Sequence, residues 1–166
     1  MGIHQILFAV IMLIFIVIAI KKRCLAYTLL GVLVSMVVCG IYSLIDSDFS
    51  AASKMVKVGW ICCSIYFFLT GIVLTIKMKD LGNIITSVFY TIALYVLGAF
   101  MWAVYKSTNF TVSPVITGAI IAPITGVGVI AVSGLMGKNT ERTACFYEIT
   151  FTIASIIMGV VFKAVK

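Results

Sequence analysis

Acidic side chains are scarce in this chain. Asp46, Asp48, Asp80, Glu141 and Glu148 are the whole set, against 12 lysines and arginines. His4 is the single histidine, which excludes a bis-histidine haem site and a multi-histidine metal centre built by this chain alone. The five cysteines (Cys24, Cys39, Cys62, Cys63 and Cys145) form no CxxC and no metal-ligand spacing. Vicinal Cys62 and Cys63 point about 100° apart on a helix, so neither a disulfide nor a shared metal is expected. There is no G-x-S-x-G, no Cys-His pairing, no carboxylate pair and no phosphate-cradling loop followed by lysine. An enzyme is therefore not expected, and no cofactor or metal is implied.

Charge of either sign is also low. Only 10% of the 166 residues are charged and 63% are hydrophobic, with a mean hydropathy of +1.26. Soluble domains carry about 25% charged residues. What fills the chain instead is six apolar runs, each close to the ~20 residues needed to cross a bilayer. They cover residues 3–20, 25–45, 58–76, 83–105, 112–136 and 144–162. The expectation is one membrane domain over 1–166, an all-α polytopic bundle of six transmembrane helices. Too little chain lies outside the runs for a soluble catalytic domain. The first run does not read as a signal peptide, because no Lys or Arg precedes it and no A-x-A site follows.

The formal charge of +7 would suggest nucleic acid in a soluble protein. Here Lys and Arg sit at the ends of the runs, where they meet water and anionic headgroups. No nucleic-acid partner is expected. The expected partners are the lipid bilayer and other membrane helices, in a homo-oligomer or a larger complex.

Each run has its own character. The first has no polar side chain between Ile6 and Ile20, so it is read as an outer wall facing lipid. The second places Thr28, Gly31, Ser35, Cys39 and Tyr42 on one face, a packing seam of small and weakly polar residues. Asp46 to Lys57 reads as a polar break in which Ser47 or Asp48 could cap a short interfacial helix. Trp60 then reads as an interface anchor for the third run. The fourth run carries Asn83, Ser87, Thr91 and Tyr95 at four-residue intervals. Such a polar stripe is costly in lipid and is expected to look inward. Asn109-Phe110-Thr111, in the next break, is a formal glycosylation sequon read as chance, being too close to the flanking runs.

The fifth run, Val112 to Met136, differs from the others. It contains both prolines of the chain, Pro114 and Pro123, and Pro114, Gly118, Ala122, Gly126 and Gly134 recur at multiples of four. That is a small-residue seam that lets a neighbouring helix approach closely. Pro123 frees the carbonyl of Ala119, and Thr125, Gly126 and Gly128 follow at once, a setting in which helices kink. The run could span with a tilt or kink, break into two half-helices, or re-enter on the side it left.

The sixth run holds Glu148, the only carboxylate inside an apolar run, with Thr152, Ser155 and Gly159 on the same face. An ionisable side chain within a membrane segment usually faces a partner, a cavity or an ion path. Arg142 lies six residues away and about 120° round the helix, so it is not an obvious partner. The alternative reading is a structural one, with Glu148 snorkelling or paired near the end of its helix.

With six spans, Lys21, Lys22, Arg23, Lys77, Lys79, Lys138 and Arg142 fall on one side, and Lys54, Lys57, Lys106, Lys163 and Lys166 on the other. The positive-inside rule then places both termini outside, with a bacterial cytoplasmic membrane as the default location. Three runs on each side of Asp80 allow a 3+3 inverted repeat, an arrangement found in transporters. Two functional classes remain open. One is translocation of a small solute or ion along a path formed by Asn83, Ser87, Thr91, Tyr95, Pro123, Thr125, Gly126, Glu148, Thr152 and Ser155. The other is a non-catalytic subunit, scaffold or immunity component of a membrane complex, with the same faces serving as contact seams.

Overall fold

The computed structural model describes residues 2–107 and 113–165. In chain order they form α1 (Ile3–Lys22), α2 (Ala26–Asp46), α3 (Phe49–Met78), α4 (Gly82–Lys106), α5 (Pro114–Met136) and α6 (Lys138–Val165). No strand occurs among the described residues. All six helices are long and apolar enough to cross a membrane. Helices are the expected solution, since a lipid environment leaves each backbone N–H and C=O to be satisfied within its own segment. The protein is a six-helix integral membrane bundle. The sequon at 109–111 and the ends Val112 and Lys166 lie outside the described residues.

Three boundaries differ from those expected. Residues 49–57 are not a separate interfacial helix: they are the first turns of α3. Asp48 is the cap, its carboxylate accepting from Ala51 N at 3.2 Å. Nothing between Phe49 and Lys57 breaks a helix, and the alanines, lysines and methionine there favour one. At the other end of the chain, Gly137 closes α5 with φ 146° and α6 begins at Lys138. Thr140, in the first turn of α6, donates to Asp80 Oδ2 at 2.8 Å. Glu148 therefore lies ten residues inside α6, about 15 Å from its start, and not near a helix end.

The third difference concerns α5, which is an uninterrupted helix of 23 residues with Pro123 inside it. At ~1.5 Å per residue it is about 34 Å long and spans the ~30 Å core. This removes the half-helix and re-entrant alternatives. Pro123 is exposed on the outer side of the bundle, so its ring displaces no neighbouring helix. The missing N–H leaves one carbonyl of the ladder unpaired by backbone, which a helix held on both sides of the proline tolerates.

Helix α6 is central, packing on α2, α3, α4 and α5, while α4 packs on α3, α5 and α6. Helix α1 packs chiefly on α2 and only slightly on α3. It buries just His4 and Ala19 and leaves Leu13, Val17 and Ile20 exposed, as an outer wall facing lipid should. The equivalent helices of the two three-helix halves, α1 and α4, are thus packed in different ways.

Trp60 also departs from expectation. It is not an interface anchor but is 4% exposed inside the bundle, with its indole N–H donating to the Leu94 carbonyl at 3.0 Å. Gly98 makes room for it: a Cβ there would stand 2.9 Å from the indole nitrogen. A buried indole needs an acceptor, and α4 offers a backbone oxygen.

Helices α5 and α6 meet backbone to backbone. A Cβ on Gly118 would lie 2.7 Å from the Ser155 carbonyl oxygen, and one on Gly159 would lie 2.8 Å from the Pro114 oxygen. Both clashes are with backbone, which cannot swing away. Gly118→Ala and Gly159→Ala should each lower stability by about 1–3 kcal/mol. Gly128→Ala, where a Cβ meets nothing within 4 Å, should cause no loss. Unfolding of the detergent-solubilised variants followed by tryptophan fluorescence measures this, and equal stability of all three would contradict the packing described.

Candidate functional site

The inward face of α6 is written at helical spacing: Ala144, Tyr147, Glu148, Phe151, Ala154, Ser155 and Met158 are all buried. Glu148 is 9% exposed. Its Oε2 accepts from Tyr90 Oη of α4 at 2.9 Å, and its Oε1 accepts from Thr152 Oγ1, one turn on, at 3.0 Å. The third wall is α5, where the carboxyl group occupies the space that a Cβ on Gly126 would need. Three helices thus meet at one carboxyl, with α4 and α6 each giving a hydroxyl donor and α5 a notch.

Tyr90 is held by aromatic neighbours from two helices. Its ring packs edge-on against Phe67 (centroids 6.2 Å apart), Tyr147 (5.8 Å) and Phe151 (6.0 Å). Offset and edge-on pairs of this kind restrict a ring's orientation, which aims the Tyr90 hydroxyl at Glu148. Beside it runs a second polar cluster. Ser87 Oγ lies 2.9 Å from the Asn83 carbonyl and 3.1 Å from Tyr147 Oη. Tyr147 Oη donates onward to the Phe67 carbonyl at 3.2 Å. Thr86 and Ser133 hydroxyls, 3.2 Å apart, link α4 to α5.

The structure brings together Glu148, Thr152 and Gly126, and places Ser87 and Asn83 in the adjoining cluster. Ser155 is buried nearby, but its hydroxyl donates to the Phe151 carbonyl at 2.7 Å. The rest of the expected path is not inward. Tyr95 is 54% exposed, and Thr91 is half-buried with its hydroxyl on the Ser87 carbonyl at 2.8 Å. Pro123 faces outward, and Thr125 donates to the Ile121 carbonyl at 2.8 Å on the exposed side of α5. The reason is geometric. A four-residue step overshoots a 3.6-residue turn by about 40°, so over the twelve residues from Asn83 the stripe rotates by about 120° and Tyr95 leaves the bundle. The same drift carries Gly134 to the surface while Gly118 and Gly126 stay buried. The true inward line of α4 is Asn83, Thr86, Ser87, Tyr90, Leu94, Leu97, Met101 and Val104. Tyr90 is the residue that reasoning from four-residue spacing misses. A line drawn at alternating steps of three and four would have found it.

Comparison of the chain with protein families, with curated proteins and with solved structures finds no match. The site must speak for itself. No group of three or more His, Cys, Asp or Glu side chains suited to a metal occurs among the described residues. The partners of Glu148 are hydroxyls, not cations. A carboxyl in this setting can exchange a proton, or ligate a cation through both oxygens once Tyr90 and Thr152 turn away.

Removing the Tyr90 hydroxyl leaves one carboxyl oxygen short of a donor. Tyr90→Phe should therefore cost about 1–3 kcal/mol. In a double-mutant cycle with Glu148→Ala, which removes the acceptor, the two changes should be non-additive by about 0.5–3 kcal/mol. Denaturant unfolding in detergent measures the cycle, and strict additivity would mean that the bond contributes nothing.

Proposed function

We propose that this protein translocates a small solute or ion across the membrane, with Glu148 as the carboxyl on the path. The observation that carries the reading is the placement of Glu148 about 15 Å inside α6, enclosed by Tyr90, Thr152 and Gly126. Intramembrane carboxyls are expensive and are concentrated on substrate and proton routes. The described arrangement is an occluded one, since both oxygens are engaged. Opening it requires α5 to move relative to α6. Pro123 stands one turn before Gly126 and removes a rung of the α5 ladder there, which supports bending beside the carboxyl. On the positive-inside rule, the side bearing Lys21–Arg23, Lys77, Lys79, Lys138 and Arg142 is cytoplasmic and both termini are outside. A bacterial cytoplasmic membrane is the corresponding location.

One observation favours a second reading, a non-catalytic subunit or scaffold of a membrane complex. Glu148, Tyr90 and Thr152 satisfy one another, as they would in a purely structural bond network. The two readings separate in reconstituted vesicles. Under an imposed potential, the wild-type chain should carry protons into proteoliposomes loaded with a pH dye. Glu148→Gln, which keeps an acceptor for Tyr90, should fold normally yet fall to the rate of empty vesicles. Equal flux from Glu148→Gln, or a stoichiometric partner on purification in mild detergent, would move the assignment to the second reading.

A further inference from the structure

A second feature lies at one end of the bundle, away from Glu148. A cleft of about 550 Å³ opens between the α1–α2 turn, the last turns of α3 and the first turns of α6. Three of its lining residues are cations from three parts of the fold: Arg23 of the α1–α2 turn, Lys77 of α3 and Arg142 of α6. No acidic side chain lines it. The acids on this side of the bundle are committed elsewhere. Asp80 accepts from Gly82 N at 2.9 Å and from Thr140 Oγ1 at 2.8 Å. Glu141 lies over α5, its Cδ 3.6 Å from where a Cβ on Gly134 would be. The described lining of the cleft therefore holds three cations and no acid.

The rest of its lining is of two kinds. Tyr66, Asn139 and Thr143 add hydrogen-bonding groups, and Tyr147 forms part of the wall. Leu25, Val73 and Phe146 line it too and are 54%, 45% and 43% exposed, so the cleft continues onto the apolar outer surface. Arg23 itself caps α1 in the left-handed region, at φ 50° and ψ 38°.

The geometry points to this cleft as a binding site for an anionic amphiphile: a phosphate-type head held by Arg23, Lys77 and Arg142, with an apolar chain lying over Val73 and Phe146. Arginine suits this role because its planar fork pairs two oxygens of an oxyanion at once. The inference stands independently of translocation through Glu148.

Native mass spectrometry of the full chain in mild detergent tests it, with phosphatidylglycerol, phosphatidylcholine of the same acyl chains, and inorganic phosphate as probes. Wild-type protein should retain one phosphatidylglycerol per chain and no phosphatidylcholine, with inorganic phosphate binding far more weakly. Arg23→Ala with Arg142→Ala should weaken phosphatidylglycerol about 30-fold, the effect of two interfacial arginine charges. Lys77→Gln, at an exposed position, should weaken it by a smaller factor and serves if the double variant does not fold. Lys54→Ala with Lys163→Ala, on the opposite side of the bundle, should change nothing. Equal retention of both lipids, an equal loss in the Lys54 and Lys163 variant, or no loss on removing the cleft cations would each overturn the proposal. Phosphate binding as tight as the lipid's would assign the site to a free oxyanion and overturn the amphiphile.

Discussion

Where α5 crosses α6 the two backbones touch, with Gly118 against the Ser155 carbonyl and Gly159 against Pro114 and Val115. In lipid there is little hydrophobic drive for helices to associate, so close packing and interhelical hydrogen bonds have to hold them. A pair of helices this close leaves no room for a glutamate side chain between them unless one contributes no side chain at that level. Gly126, two turns on from Gly118, provides that opening. The seam that brings the helices together thus also forms the notch in which Glu148 sits. Tyr90 of α4 then closes it from the third side. A wider seam would leave the carboxyl against lipid or water, and a tighter one would expel it.

The ends of the bundle are pinned by different chemistry. On one side Asp80 links the α3–α4 turn to the start of α6 through Gly82 N and Thr140. On the other, the Lys57 ammonium lies 3.5 Å from the centroid of the Trp102 ring, with Phe162 5.9 Å away. Trp102, Tyr105 and Phe162 pack together with centroids 5.3–5.7 Å apart. An ammonium in apolar surroundings is tolerated when aromatic faces meet it. Both clamps act on α3, α4 and α6. Helix α1 is held chiefly against α2, where the buried His4 ring meets Tyr42 edge-on with centroids 5.0 Å apart and the His4 carbonyl accepts from Cys39 Sγ at 3.7 Å.

Much of this is legible in the residues alone, and the misses share a cause. Apolar run length predicts six spans because bilayer thickness sets helix length. Glu148 stands out because a lone carboxylate in an apolar run has few inexpensive explanations. Boundaries are less legible: the polar residues of 49–57 look like a loop by hydropathy, yet nothing in them stops a helix. Direction is least legible. Tyr95 and Tyr90 are the same residue type in the same helix, and only the 3.6-residue period, carried over several turns, separates the one that faces lipid from the one that meets Glu148. Trp60 resembles an interface tryptophan until the Leu94 carbonyl and Gly98 on a different helix are placed beside it. Gly126 is readable as part of a packing seam, but its pairing with Glu148 depends on the register between α5 and α6, which neither segment encodes by itself.

The arrangement of charge follows from the same register. Arg142 and Glu148 share α6, six residues and about 9 Å apart along the axis, close enough that a different angular offset would invite an ion pair. Their separation of about 120° round the helix sends Glu148 toward α5 and Arg142 toward the cleft beside α3. A salt bridge between them would neutralise both, leaving a buried carboxyl with no exchangeable state and a cleft with less charge to offer an anion. Hydroxyl donors on the carboxyl, unlike a fixed cation, stabilise it without committing it to the ionised form, because a hydroxyl can also accept from the protonated acid. Tyr90 and Thr152 can therefore satisfy Glu148 in either protonation state.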